Sequence, residues 1–395
     1  MIDFDEALAR VCAAALPLGK ETVAIQSAAG RVLAEPVVAQ IASPRSDVSA
    51  MDGYAVRDAD LVDCPARLQL VGESFAGGGW GGSLGNGQCV RIFTGAQVPP
   101  GADRVVMQEE VRCDGDTAIV ERHPGPTRYI RARGSDFDEG DQLLPTGRLL
   151  DKRAIVTAAA ADLRQVAVFT EPRVTILSTG NELAEPGLAS QDLDAIPDSV
   201  SLGVAALVRE WGGSIVETHR LRDDLPVMER IAAQAIESSD LVVVTGGASV
   251  GEKDFAKAMF APAELQLIFS KVSMKPGKPV WLGRSAETLI LGLPGNPTSA
   301  LVTARLLLAP LVAGRCGRDP MEALRWQSAE LATGLKDCGP RETFHRARWS
   351  GGVVELFAFQ DSSAQKVLAE AELLVRQPAN SSGIIAGGEV RVLDF

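Results

Sequence analysis

The feature that most constrains this chain is a rhythm between residues 173 and 315. An apolar run, a loop and an amphipathic run recur there several times. Strands are expected at 173–178, 214–219, 240–245, 265–271 and 288–292, and helices at 199–211, 225–237, 253–260 and 297–313. Alternation of this kind requires a parallel sheet with crossover helices. It also says where to look for a ligand, because open α/β sheets bind at the carboxyl ends of their strands.

The flanks follow other rules. From about 50 to 139, short β-rich runs are separated by glycine loops, including Gly77-Gly78-Gly79-Trp80-Gly81-Gly82. This predicts a β-rich domain, 45–139, inserted into a discontinuous N-terminal unit of 1–44 and 140–172. An α/β domain then spans 173–315. Residues 316–395 predict a C-terminal β-barrel-like domain, with strands at 326–332, 344–349, 353–358 and 389–393 and a helical stretch at 364–369. The fold class is multidomain, α/β and β.

Charge and residue counts exclude several functions. A formal net charge of -12 leaves no basic stripe for nucleic acid. An anionic ligand would need a local site rather than the overall field. The six cysteines form no Cys-x-x-Cys pair, and three histidines do not make a His-rich metal site. The N-terminal segment carries acids ahead of its short apolar run, unlike a signal peptide. No stretch approaches the 18 uninterrupted apolar residues of a membrane span. A cytoplasmic protein with reduced thiols is expected.

Three loops of the α/β domain fall at strand ends. They are Thr179-Gly180-Asn181-Glu182, Gly246-Gly247-Ala248-Ser249-Val250-Gly251 and Pro294-Gly295-Asn296-Pro297. Glycine lets backbone N–H groups wrap an anion. In the third loop Asn296 is placed to cap a helix, Pro297 suits its first position, and Gly314 is placed to stop it. Such a helix N-terminus favours a phosphate. Tight βα turns need the same glycines, so one loop alone says little; three in one domain say more. Met274-Lys275-Pro276-Gly277-Lys278-Pro279 adds two cations around a rigid turn, suited to phosphate or another oxyanion. Asp52, Asp136, Glu182, Asp198, Asp223, Asp224 and Asp254 supply carboxylate oxygens of the kind Mg²⁺ takes. Capping is the competing role for Asp198 and Asp224. On its own Thr94 is a strand-end hydroxyl. The residues alone thus give an α/β anion-binding domain with carboxylates for a divalent metal, and do not name the anion.

Seven strings, in order, resemble the MoeA family of molybdopterin molybdenumtransferases, which is also the gephyrin E-domain family. They are SAMDGYAV (49–56), IFTGAQVPPGADRVVMQEE (92–110), RARGSDFDEGD (131–141), ILSTGNEL (176–183), VVTGGASVGEKDFAK (243–257), MKPGKP (274–279) and LPGNPTSA (293–300). The segment from Gly339-Pro340-Arg341 to Arg346 is similar to the family's C-terminal signature. The resemblance implies an elongated four-domain homodimer. It implies a transferase that inserts molybdate into adenylated molybdopterin, with Mg²⁺-dependent release of AMP, forming molybdenum cofactor. The cleft would lie between the α/β domain of one protomer and the first two domains of the other.

The resemblance also assigns roles to positions. Asp52, Asp136, Glu182, Asp223, Lys275 and Lys278 would be catalytic, with Glu182, Asp223 and Asp254 as metal ligands. Thr94, Thr179, Gly180, Asp198, Ser199, Gly246, Gly247, Ser249, Pro294, Gly295, Asn296 and Pro297 would bind the pterin or its phosphate. The chain departs from the family pattern at Asn181, commonly Asp, and within Gly251-Glu252-Lys253-Asp254. No adenylyltransferase domain is recognisable, so a separate adenylyltransferase is an expected partner. Stand-alone adenylyltransferases share the α/β domain but would not need 49–141, and a peptide-binding scaffold could dispense with Asp52, Glu182 or Lys275.

Overall fold

The computed structural model describes residues 1–247 and 255–395. The rhythm after residue 172 folds into a six-stranded sheet ordered Ser214–Leu221, Arg173–Thr179, Leu241–Thr245, Thr288–Leu293, Trp281–Ser285 and Gln266–Phe269. The first four are parallel. Leu241–Thr245 and Thr288–Leu293 are buried at every position, which is why they read as unbroken apolar runs. Val200–Glu210 and the helical run from Pro297 cover one face of the sheet, and Leu225–Ser238 and Phe255–Ala258 cover the other.

The last two strands differ from the expectation of a parallel sheet throughout. Gln266–Phe269 runs antiparallel to Trp281–Ser285, which runs antiparallel to Thr288–Leu293. The pattern did not reveal Trp281–Ser285 because its hairpin lacks the usual signal. Ser285 pairs with Thr288 across Ala286-Glu287, with Ala286 at φ 49, where Asn-Gly or Gly-x would be normal.

The helical run comprises Pro297–Thr303, a π-helical Ala304–Leu308 and Ala309–Arg315. Pro310 has no N–H to offer the preceding turn, and the wide turn lies just ahead of it. Gly314 does not stop this helix. It is buried, and a Cβ there would lie 2.5 Å from the Ala15 carbonyl oxygen, so its role is close packing. Gly317, at φ +83, takes the left-handed position beyond the helix end. Among the described residues this helix alone is long and apolar enough to cross a membrane, and 83% of its apolar 18-residue stretch is buried.

The N-terminal helix Phe4–Ala14 starts at Asp3, whose carboxylate accepts the Glu6 N–H at 2.7 Å. Its Phe4, Ala7, Leu8 and Val11 enter the same core as the α/β helices. Lys20–Ala24 pairs with Gln165–Phe169 over a second core that holds Leu33, Val37, Leu150, Ala154 and Val168. Between these chain segments lies a six-stranded sheet ordered Arg104–Met107, Gly53–Val56, Gln88–Ile92, Ala66–Ser74, Thr117–Val120 and Val111–Asp114. Alternate residues feed two separate apolar clusters, one on each face.

The C-terminal sheet is built on Glu342–Ser350, which pairs with Val353–Leu356 on one side and Leu373–Gln377 on the other. Glu389–Asp394 and Gln327–Glu330 continue it. A bridge from Leu331 to Val354 closes the ring around Ala347, Leu373, Val375 and Val392. Met274–Lys275 joins this sheet in parallel, so the lysine-bearing turn is anchored to the barrel as well as to the α/β core.

Candidate functional site

The parallel strands align their carboxyl ends. Ser178 pairs with Thr245, and Thr245 with Leu293. Their loops meet in a cavity of about 630 Å³. Arg173–Thr179 and Leu241–Thr245 are neighbours from which the chain leaves in opposite directions across the sheet. That is the switch point where open α/β sheets open a crevice.

The three expected loops converge there. Thr179, Glu182, Gly246, Gly247, Pro294, Gly295, Asn296 and Pro297 all line the cavity, and Gly180 lies in the same first loop. Glycine is required for the contact. Gly246 has φ +88, and a Cβ on it would sit 2.4 Å from the Thr179 carbonyl oxygen. Gly295 abuts Gly246, with its Cβ position 3.3 Å from the Gly246 Cα. Gly180 lies under the Glu182 carboxylate, whose two oxygens are 2.7 Å from its Cβ position. Ser249 and Asp254 lie outside the described residues.

Asp198 and Ser199 form another wall of the cavity. The two proposed uses of Asp198 turn out to be compatible. Its Oδ1 accepts the Ser201 N–H at 3.3 Å at the start of Val200–Glu210, a capping contact. Its Oδ2 is buried and has no hydrogen-bond partner among the described residues; the residue is only 3% exposed. A buried acceptor without a donor is costly, and the residue that carries it lines the cavity. Asp224, by contrast, is a helix cap, accepting the Val227 N–H at 3.2 Å.

Asn296 takes the N-cap position of its helix, but its side chain makes no capping bond. Its Nδ2 donates to Ser362 Oγ at 2.9 Å, and the Thr298 N–H donates to the Ser362 carbonyl at 3.1 Å. The barrel thus supplies the far wall of the cavity through Ser363 and Gln365. Sequence reasoning did not include these residues, because nothing in their spacing ties a C-terminal loop to this sheet edge. Ile196, Pro197, Val200, Thr245 and Pro279, which also line the cavity, were likewise missed.

Lys275 and Lys278 line a neighbouring cavity of about 490 Å³ with Arg341 and Arg346. Pro279 borders both cavities. Among the described residues, none of these four cations is in a salt bridge. Arg346 is 1% exposed, and burial lowers its pKa from the usual arginine value. Its guanidinium donates to Thr298 Oγ1 at 3.3 Å and to the Asp361 carbonyl at 3.0 Å. The Asp361 carboxylate is turned onto Ser363, whose bonds hold its pKa below the ordinary value. Burial lowers the pKa of His345, favouring its neutral ring. The cavity is therefore rich in positive charge. Arg346 escaped the sequence reading as an individual residue, although it ends the Gly339–Arg346 signature.

Asp223 lies beside the first loop in a reciprocal pair with Asn181. Asn181 Nδ2 donates to Asp223 Oδ2 at 3.1 Å, and the Asp223 N–H donates to Asn181 Oδ1 at 3.0 Å. The departure at 181 thus has a physical use, since an aspartate there could not donate to Asp223. Among the described residues no three His, Cys, Asp or Glu side chains gather as a metal cluster.

Asp52 and Thr94 are brought together in the inserted sheet. The Asp52 Oδ1 accepts both the Thr94 N–H and Oγ1–H, each at 2.8 Å, and these bonds hold its carboxyl below the ordinary range. Asp136 is on a separate exposed loop, where its N–H donates to the Ser43 carbonyl at 3.0 Å. None of these three lines either cavity within the chain.

Residues 2–162 match the model of the MoeA N-terminal region (domain I and II), and residues 175–314 match that of a probable molybdopterin binding domain. The molybdopterin molybdenumtransferase of Haemophilus influenzae is 34% identical over 96% of this chain and 95% of its own length. The chain belongs to the MoeA family. Molybdopterin molybdenumtransferase 2 of Mycobacterium tuberculosis is 33% identical over 95% of each chain. The crystal structure of the molybdopterin biosynthesis MoeA protein of Pyrococcus horikoshii superposes with a TM-score of 0.86 at 25% identity, covering both chains fully. MoeA membership accounts for the union of an α/β domain, an inserted β domain and a C-terminal barrel in one chain.

Proposed function

We propose that this protein is a molybdopterin molybdenumtransferase that takes adenylated molybdopterin and molybdate, releases AMP, and leaves molybdenum on the dithiolene sulfurs. The observation that carries this is the pairing of two cavities across Pro279. One is glycine-lined with a waiting acceptor at Asp198. The other is lined by Lys275, Lys278 and the buried Arg346. The first suits a flat polar heterocycle with a phosphate, and the second suits a tetrahedral oxyanion.

In this scheme the 179–182, 246–247 and 294–297 loops hold the pterin and its phosphate through backbone N–H groups. Asp198 Oδ2 accepts from the pterin's N–H edge. Lys275, Lys278 and Arg346 hold molybdate and neutralise charge that develops as the phosphoanhydride breaks. Mg²⁺ keeps several waters and usually takes one or two protein carboxylates plus substrate phosphate, so it needs no three-residue cluster. Glu182, whose carboxylate receives no hydrogen bond from the described residues, and Asp223, held beside it by Asn181, fit that demand. When bound there, Mg²⁺ would offset the negative charge of the pyrophosphate. Asp52, Thr94 and Asp136 would act on the cavity of a partner subunit in a cytoplasmic homodimer, with adenylation supplied by a separate protein.

The test separates this function from adenylation itself. Purified protein is given either molybdopterin with ATP, or adenylated molybdopterin with molybdate, each with Mg²⁺. AMP release and bound molybdenum in the second mixture are expected. ATP consumption in the first, without turnover in the second, would overturn the proposal.

A further inference from the structure

The second cavity contains a residue that no cation argument would select. Gln360 lines it, and its side-chain amide is fully engaged. Its Oε1 accepts the Arg346 N–H at 3.0 Å, and its Nε2 donates to the Arg346 carbonyl at 2.8 Å and to the Phe357 carbonyl at 2.8 Å. The donor and acceptor ends of the amide are fixed by these partners. The next residue, Asp361, accepts from the Arg346 guanidinium through its carbonyl. Gln360 and Asp361 therefore grip Arg346 at both ends, one by the backbone and one by the side chain.

We propose that Gln360 is the positioning and selectivity residue of the oxyanion cavity: it fixes Arg346 and, being neutral, leaves the cations of that cavity free for an oxyanion. This rests on the reading of the cavity as the molybdate site. The chemistry requires an amide. A carboxylate of the same shape would still accept the Arg346 N–H but would put an oxygen in place of Nε2, acceptor against acceptor, facing the Arg346 and Phe357 carbonyls. It would also place negative charge where Lys275, Lys278 and Arg346 await an anion. A leucine would fill the volume but remove both bonds to the Arg346 backbone, leaving that backbone to the strand ladder and the Phe357 N–H while Thr298 and Asp361 still hold the guanidinium. Arg346 is the least exposed of the four cations, so it gains most from being held before the anion arrives.

The experiment measures KM for molybdate, KM for adenylated molybdopterin, kcat and Tm for wild type, Q360L, Q360E and R346M. In Q360L and Q360E, KM for molybdate is expected to rise roughly tenfold or more, the loss of about one charge-assisted contact. KM for adenylated molybdopterin should stay near wild type. Q360E is the near-isosteric variant and keeps the test valid if Q360L folds poorly. Unchanged molybdate KM in Q360L and Q360E beside an impaired R346M would overturn the role of Gln360 while sparing the cavity. An unchanged R346M would overturn the molybdate reading of the cavity and this proposal with it. Equal rises in both KM values with a falling Tm would reduce Gln360 to a structural residue.

Discussion

Replacing Asp198 by Asn isolates the one buried side-chain acceptor that is left without a donor among the described residues. In the free protein, Oδ2 is buried and without a partner among the described residues, a state that costs about 1–3 kcal/mol. A ligand donor would recover that cost and add a hydrogen bond to a charged group, worth ~1.5–3 kcal/mol. Asn keeps the Oδ1 contact to the Ser201 N–H but puts an NH₂ in place of Oδ2, so a ligand donor would meet a donor. The expected loss of molybdopterin affinity is therefore about 10- to 150-fold. The free protein should change little, within ~1 kcal/mol, or about 2–4 °C in the Tm of a domain this size. Isothermal titration with molybdopterin and a thermal melt of the free protein give both numbers. Wild-type affinity in D198N would refute the reasoning. It would mean that Oδ2 meets only water and that the residue serves as a helix cap alone.

Three further outcomes follow from the same geometry. K275A/K278A should raise KM for molybdate at least roughly tenfold while leaving molybdopterin affinity intact, which steady-state kinetics and titration would separate. Gly314→Ala should destabilise the protein by about 1–3 kcal/mol despite better helix propensity, because the added methyl meets the Ala15 carbonyl at 2.5 Å; a denaturant melt reads this. Thr94→Val removes one of two bonds to Asp52, so the Asp52 pKa should move up toward the ordinary carboxylate value, as seen in an NMR pH titration of its carboxyl. Since that pKa is lowered in the folded protein, its contribution to stability is present above the ordinary carboxylate pKa and fades as pH falls through the lowered one. The variant should lose part of it.

The sequence exposed the parallel half of the α/β sheet because fully buried strands leave unbroken apolar runs. Leu241–Thr245 could hardly be anything else. It concealed Trp281–Ser285, whose Ala286-Glu287 turn carries no glycine. The same asymmetry holds at the site. Gly246, Gly247 and Gly295 were legible because only glycine permits such close loops. Ser363 and Gln365 were not, since their importance comes from barrel docking across more than 60 residues of chain, as in the 66-residue separation of Asn296 and Ser362; Gln360 was not, since its amide is placed by the backbone of Arg346, a strand residue with no sequence signal for that contact. Asn296 and Gly314 were assigned local helix roles by spacing, and tertiary contacts claimed both. Asp198 needed the structure to divide its two oxygens between cap and cavity.

The most direct test of the transferase function is the stoichiometry of a single turnover. Adenylated molybdopterin in slight deficit is mixed with the protein, Mg²⁺ and excess molybdate, and released AMP and protein-bound molybdenum are counted together. Coupled insertion requires the two to appear in equal amounts and at the same rate, with little AMP when molybdate is withheld. AMP released at full rate without molybdate, or molybdenum bound without AMP release, would contradict it.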